Sequence, residues 1–274
     1  MFSRSILITL LLSVVGAQAF AGTPMDQAVY PKAYQELLQR FVVQEPLPGG
    51  GFETRFNYAA ALALENQKAL REEMRQHFLA VSPNALGPKA RYAWASNAYN
   101  FFVIDLILEN YDEGKLGSIS EIGEESFSVF TEPWFDIDGK RYSLNEFEAH
   151  FLFLDIDRNS DTVPADIDPR YHFAIVCAAK GCPSLWPEAF DPAKLDEQLN
   201  AVTQNTLKSS RHLRIDDAGV HVSKIFEWYA ADFGGSIREF LLRHGPADLK
   251  KLAPDFAVHT DIDWDWSLNR PSQP

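Results

Sequence analysis

The chain has 274 residues, 46% of them hydrophobic and 13% aromatic, which is enough to bury a sizeable core in one large domain or two small ones. Its formal net charge of −13 argues against nucleic acid or an anionic membrane as a partner, because both would repel it. There are only two cysteines, no internal repeat and no low-complexity run.

The first residues read as a secretory signal peptide. Arg4 supplies the charged start, Ile6 to Gly16 the short apolar region, and Ala17-Gln18-Ala19 a small-residue cleavage site, with Ala19-Phe20-Ala21 as a second option. The apolar stretch is shorter than the ~20 residues needed to cross a hydrocarbon core. No other segment is long enough, and no cysteine near the cut offers a lipid anchor. The expected organisation is a signal peptide over 1–19 and a single domain over 20–274, exported to a periplasm or secreted, with no stable membrane insertion.

In chain order, Pro31 to Val43 has helical spacing, and Pro46 to Gly51 breaks it. Asn57 to Val81 reads as one long amphipathic helix, ended by Ser82-Pro83-Asn84. A third helix is predicted from Pro88 to about Tyr111. In it Asn97 and Asn100 lie three residues apart, so both amides point to one side of an otherwise apolar helix. Phe127–Phe130 and Trp134–Ile137 read as strands. Asp138-Gly139 is a hairpin turn into Lys140–Ser143. Ser143-Leu-Asn-Glu146 has capping-box spacing, which predicts a helix to about Leu154 carrying Glu148 and His150. Asp155 to Asp168 is an acidic loop without the central glycine and closing glutamate of a calcium site.

His172-Phe-Ala-Ile-Val-Cys177 is a short apolar run that predicts a buried strand, with Cys182 on the loop beyond it, directly before Pro183. Alternation would put His172 and Cys177 on opposite faces. Asp191-Pro192 opens a helix to about Leu207, and 212–222 reads as a hairpin around Asp216–Gly219. Ser223 caps the helix KIFEWYAADF, closed by Gly234-Gly235, and Ser236–His244 forms another. Asp261–Leu268 reads as a closing strand. Helices come first and a mixed region follows without regular βαβ alternation. The fold class is α+β, with N-terminal helices packed against a mixed, mainly antiparallel sheet and further helices.

Six segments carry a family likeness: Trp94-Ala-Ser-Asn97-Ala-Tyr-Asn100, Ser143–Glu148, Asp168–Ala174, Cys177-Ala-Ala-Lys-Gly-Cys182-Pro183, Val222–Tyr229 and Asp263–Asn269. In this order they resemble the signature segments of the domain-of-unknown-function 547 family, over most of the mature chain. The resemblance implies little about activity, because the family is uncharacterised. The family's pattern has a histidine directly after the glutamate that matches Glu148. Here that place is Ala149, and His150 comes one residue later, a turn of about 100° on a helix. The family histidine is therefore not carried onto His150.

Three readings of the cysteines stay open. In the first, Cys182 is a nucleophile whose thiolate is favoured at a helix N-terminus and whose base is His172. Asn97, Asn100 or Glu148 orients the imidazole or serves an oxyanion, as in a thiol-dependent hydrolase or acyltransferase. In the second, Cys177 and Cys182 form a structural or redox disulfide, as an oxidising compartment favours. In the third, Cys177, Cys182 and His172 hold a metal, which the opposite-face placement disfavours. No metal or cofactor is assigned. Each residue also has a plainer role: buried amides satisfied by loop backbone for Asn97 and Asn100, a satisfied buried histidine for His172, a solvated helix position for Glu148, and core for Trp228-Tyr229. A non-enzymatic module binding a small molecule, peptide, glycan or protein in a cleft lined by Trp94, Trp134 and Trp186 is a further class. Glycine-rich phosphate loops, G-x-S-x-G and H-E-x-x-H are absent from the sequence.

Overall fold

A computed structural model describes residues 29–155 and 167–271. The expected signal peptide and most of the acidic 155–168 loop lie outside these residues. The fold is α+β, built around one buried helix. Helix α1 (Lys32–Phe41) turns Tyr34, Leu38 and Phe41 inward at helical spacing. It stops short of Val43 because the β-branched pair Val42-Val43 enters strand β1 (Val42–Pro46), which pairs antiparallel with β2 (Phe52–Phe56). The expected simple break at 46–51 is thus the turn of a hairpin.

The long helix expected from Asn57 to Val81 is two helices. Asn57 Oδ1 accepts the Ala60 N–H at 3.1 Å and caps α2 (Tyr58–Leu62), and α3 (Gln67–Ala80) restarts after Asn66. Asparagine favours such caps over helix interiors, which suits Asn57 to the start of the run. Helix α4 (Pro88–Asn110) has the predicted extent, with proline at its first position, and is buried on all sides from Ala93 to Leu108. Its buried Asp105 is paired with Arg71 and Arg75 of α3.

Strands β3 (Phe135–Ile137) and β4 (Lys140–Tyr142) form the expected hairpin, with Asp138 and Gly139 both at positive φ as a type I′ turn needs. The strand expected at Phe127–Phe130 is a single 3-10 turn, Ser128–Phe130, entered through Phe127 at φ 69°. Helix α5 (Leu144–Phe147) opens on the predicted capping box and winds on as a π-helical turn over Glu148–Leu152.

The buried strand expected at His172–Cys177 is not formed. Tyr171–Ala174 is a short helix, α6, and the chain extends only from Ile175. Asp168 starts the turn by accepting the Arg170 N–H at 3.1 Å, and Asn100 of α4 supplies the hydrogen bonds that a neighbouring strand would have given. Helix α7 (Leu195–Thr206) begins later than Asp191-Pro192, because Asp191 Oδ1 accepts the Ala193 N–H in a tight turn instead.

Strands β5 (Leu213–Asp216) and β6 (Gly219–Ser223) form the predicted hairpin. Strand β7 (Val258–Ile262) adds to β6 in parallel, so the closing strand lies earlier than 261–268. Between them come α8 (Ile225–Trp228), a 3-10 turn over Ala230–Phe233 ended by left-handed Gly234, and α9 (Ile237–His244), capped by Ser236.

Candidate active site

A cavity of about 370 Å³ opens where α4, α5, α6, α8 and the C-terminal segment meet. Tyr99, Glu148, His172 and Cys177 line it from four parts of the chain. Glu148 opens the π-helical turn after α5 and is buried. Such turns are frequent at functional sites because the extra residue re-aims the side chains that follow.

His172 is closely enclosed by its neighbours. Its Nε2 lies 2.8 Å from Asp232 Oδ2, and both side chains are almost wholly shielded from water. The imidazole is stacked between Phe153, at 4.3 Å, and Tyr229, at 4.0 Å. A buried carboxylate on one ring nitrogen fixes the tautomer and orientation and stabilises an imidazolium when it forms.

The two cysteines are free and differ in position. Cys177 is half-buried and lines the same cavity as His172. Cys182 is buried behind it, and its sulfur accepts the Cys177 backbone N–H at 3.1 Å. Burial first, and the neighbouring Cys177 thiol second, hold the Cys182 pKa well above the ordinary thiol value. The helix N-terminus expected to favour a Cys182 thiolate is absent, because residues 183–194 form no helix. Of the two sulfurs, therefore, it is Cys177 that meets the cavity.

The loop after Cys177 is tightly held. Ala178 takes φ 62°, a left-handed conformation costly for a residue with a Cβ. Its carbonyl accepts the Asn269 N–H at 2.8 Å, and the Lys180 and Gly181 N–H groups donate to Ser267 and Asp265 at 2.8 Å. Gly181 permits this close approach: a Cβ there would lie 2.8 Å from the Trp264 ring and 2.9 Å from the Asp265 nitrogen. Behind the loop, His212 Nε2 donates to the Cys182 carbonyl at 3.3 Å, and burial pushes its pKa down to about 4.

Asn97 and Asn100 face other loops rather than the cavity. Asn97 donates to the Phe190 carbonyl and accepts the Phe190 N–H, each at 2.8 Å. Asn100 donates to Ala174 O and accepts from Val176 N–H, each at 2.9 Å. Both amides are spent on backbone, and Asn100 holds the segment that links His172 to Cys177. His150 pairs with Asp155 and stacks on Tyr142, outside the cavity lining. Tyr99 keeps its phenol proton, since burial and then the nearby Glu148 raise its pKa well above the ordinary value.

The aromatic residues are arranged differently from the expected cleft. Trp94 is fully buried core, Trp134 donates to Val129 O, and Trp186 packs on Phe52. Trp228, Trp264 and Trp266 form the cavity wall instead, and Trp228, expected in the core, is 46% exposed. Sequence reasoning also missed Asp232. The available signal was an acid inside the apolar helical run KIFEWYAADF. Among the described residues, no group of three or more His, Cys, Asp or Glu side chains is placed to hold a metal ion.

Residues 83–206 match the family model described as "Protein of unknown function, DUF547". The chain resembles this family over that span. No curated protein and no solved structure matches it. The DUF547 span holds Tyr99, Glu148, His172 and Cys177, whereas Asp232 and the tryptophan wall come from the chain beyond it.

Proposed function

We propose that the protein is a thiol-dependent hydrolase or acyltransferase in which Cys177 is the nucleophile and His172 its base. The observation that carries this reading is the buried His172–Asp232 pair, 2.8 Å apart, in a cavity that the Cys177 thiol shares. In the proposed reaction His172 takes the Cys177 proton and the sulfur attacks the carbonyl carbon of an amide, ester or thioester. The tetrahedral oxyanion collapses to an acyl-thioester as the leaving group takes the proton back from the imidazolium. Water, or an acceptor nucleophile, then gives up a proton to His172, attacks the thioester carbonyl and releases the Cys177 sulfur. Asp232 orients the ring and stabilises its charged form. The neutral Tyr99 phenol is a hydrogen-bond donor on the same cavity, and Glu148 adds a carboxylate beside the reacting groups. Asn97 and Asn100 act as clamps.

The test is alkylation of the reduced native protein by iodoacetamide across pH, with the labelled residue located by mass spectrometry. Fast labelling of Cys177, slowed by His172→Ala, with Cys182 labelled only after unfolding, supports the reading. First labelling at Cys182, or a Cys177 rate indifferent to His172, overturns it.

The Cys177 N–H to Cys182 Sγ contact favours a second reading, a redox element in which the two thiols pair. A native protein that takes up label only after reduction would place that reading ahead. Export remains part of the proposal, on the charge, apolar run and A-x-A order of residues 4–19. Expression of the full chain in a bacterial host, with fractionation and N-terminal sequencing, tests it. A cytoplasmic protein that retains Met1 would sink it.

A further inference from the structure

The wall of the cavity opposes an exposed aromatic surface to the candidate thiol. Trp264 lies 4.9 Å from Trp228 and 6.0 Å from Trp266, ring centre to ring centre, and Phe127 meets Trp266 edge-on at 4.8 Å. Trp228 and Phe127 are 46% and 42% exposed, a large apolar area left in water. Because the wall and Cys177 line one cavity, one substrate can span both the wall and the bond that the thiol would attack.

Charge and spacing narrow the occupant. Among the described residues, neither lysine nor arginine lines the cavity. The nearby Lys224 ammonium is already paired with Glu227 at 2.7 Å and with Thr260 O at 3.1 Å. Asp263 and Asp265 flank Trp264. An anionic group on the wall would meet ring faces, with no lysine or arginine among the described lining residues to receive it. A cation held in an aromatic cage needs rings set apart around it. Here the indoles are in mutual contact, with planes inclined by 58° and 57°, so no gap is left between them to surround a cation. A sugar on the wall would find hydroxyl partners in Thr131, Asn145 and Glu148 of the same cavity, so a glycoside is the competing occupant that the binding test must separate.

We propose that the site selects acyl substrates bearing a flat, uncharged aromatic ring close to the carbonyl, with that ring stacked on the exposed Trp228 and packed edge-on against Trp264 and Trp266. This rests on the Cys177 reading for which bond is cleaved, but ring selection is measurable without the thiol.

Cys177→Ala protein is titrated calorimetrically with the N-methyl amides of phenylacetic acid, hexanoic acid and adipic acid (the last an anion), and with methyl glucopyranoside. The expected result is two- to tenfold tighter binding of the phenylacetyl amide than of the hexanoyl amide, the usual range for aromatic stacking beyond area burial. The adipoyl amide should bind more weakly than either. Trp228→Leu, a change at an exposed position that keeps apolar bulk, should abolish the ring preference. Equal binding of ring and chain, a preference that survives Trp228→Leu, or tighter binding of the glucoside would overturn the proposal. An inactive wild-type protein with ring-selective Cys177→Ala would remove the chemistry and leave the wall. Catalysis without ring preference would do the reverse.

Discussion

Replacing Asn100 by alanine separates a clamp from a catalytic amide. The side chain is 1% exposed and makes two hydrogen bonds, to Ala174 O and from Val176 N–H, each 2.9 Å long. Alanine removes both and leaves a buried carbonyl and a buried N–H unsatisfied, at about 1–3 kcal/mol for each group. The sum is about 2–6 kcal/mol, with the lower half expected if a water enters the space the amide leaves. For a protein of this size that lowers Tm by roughly 5–20 °C. Urea unfolding followed by tryptophan fluorescence measures the loss, with Asn110→Ala as a surface control expected within about 0.5 kcal/mol of wild type. Cys177 alkylation in the folded variant should slow, because the segment that joins it to His172 is no longer held. A loss below about 1 kcal/mol would refute the clamp. So would normal stability combined with abolished activity, since that would return Asn100 to the reacting groups.

Other perturbations probe neighbouring groups. Asp232→Asn should lower the acyl-transfer rate constant by roughly 10²–10⁴-fold with little change in substrate binding, and a loss confined to KM would deny Asp232 its role behind the imidazole. His212 is neutral in the fold, with its pKa pushed down to about 4 by burial from an ordinary 6.5. The unfolded chain therefore takes up a proton first as pH falls, and stability present above pH 6.5 is lost towards pH 4, by about 3 kcal/mol. His212→Gln should remove that acid-side slope in urea unfolding, and an unchanged slope would place the titration elsewhere. Hydroperoxide treatment should convert Cys177 to a sulfenic acid that Cys182 closes to a disulfide with loss of water. In Cys182→Ala the same treatment should run on to irreversible sulfinic acid, whereas reversible loss of activity in both proteins would contradict the pairing.

Local signals in the sequence proved accurate where local chemistry decides the structure. Ser143 and Glu146 cap each other across three residues, Asp138-Gly139 makes its turn with its own backbone, and Pro88 starts a helix whose apolar run leaves it no exposed face. His172–Cys177 was illegible because a short run with four buried apolar residues, Phe173 to Val176, satisfies a strand or a helical turn equally well. The choice is made by Asn100, an amide more than seventy residues upstream that binds the backbone at Ala174 and Val176. The choice between the cysteines was hidden for the same reason. Proline after Cys182 is a local cue, whereas the path of the loop is set by main-chain bonds to 265–269. Helical spacing put Trp228 in the core, but α8 lasts only one turn, too short for periodicity to fix which face is covered.

The candidate site joins two parts of the chain that differ in what they contribute. The DUF547 span brings Glu148, His172 and Cys177, and the part beyond it brings Asp232, the aromatic wall and the clasp on the cysteine loop. The clasp has a direct physical purpose. Left-handed Ala178 costs about 1–2 kcal/mol, and the conformation persists only where its surroundings hold it. Asn269 N–H on the Ala178 carbonyl and the Ser267 and Asp265 carbonyls under Lys180 and Gly181 supply that hold. Trp264 and Trp266 belong to the same clasp, and Gly181 lets the Trp264 ring approach the loop. The residues that place the thiol at the cavity are thus covalently continuous with those that would receive the substrate's ring. A shift of the 263–269 segment would disturb both at once, which ties specificity and nucleophile position to one stretch of chain.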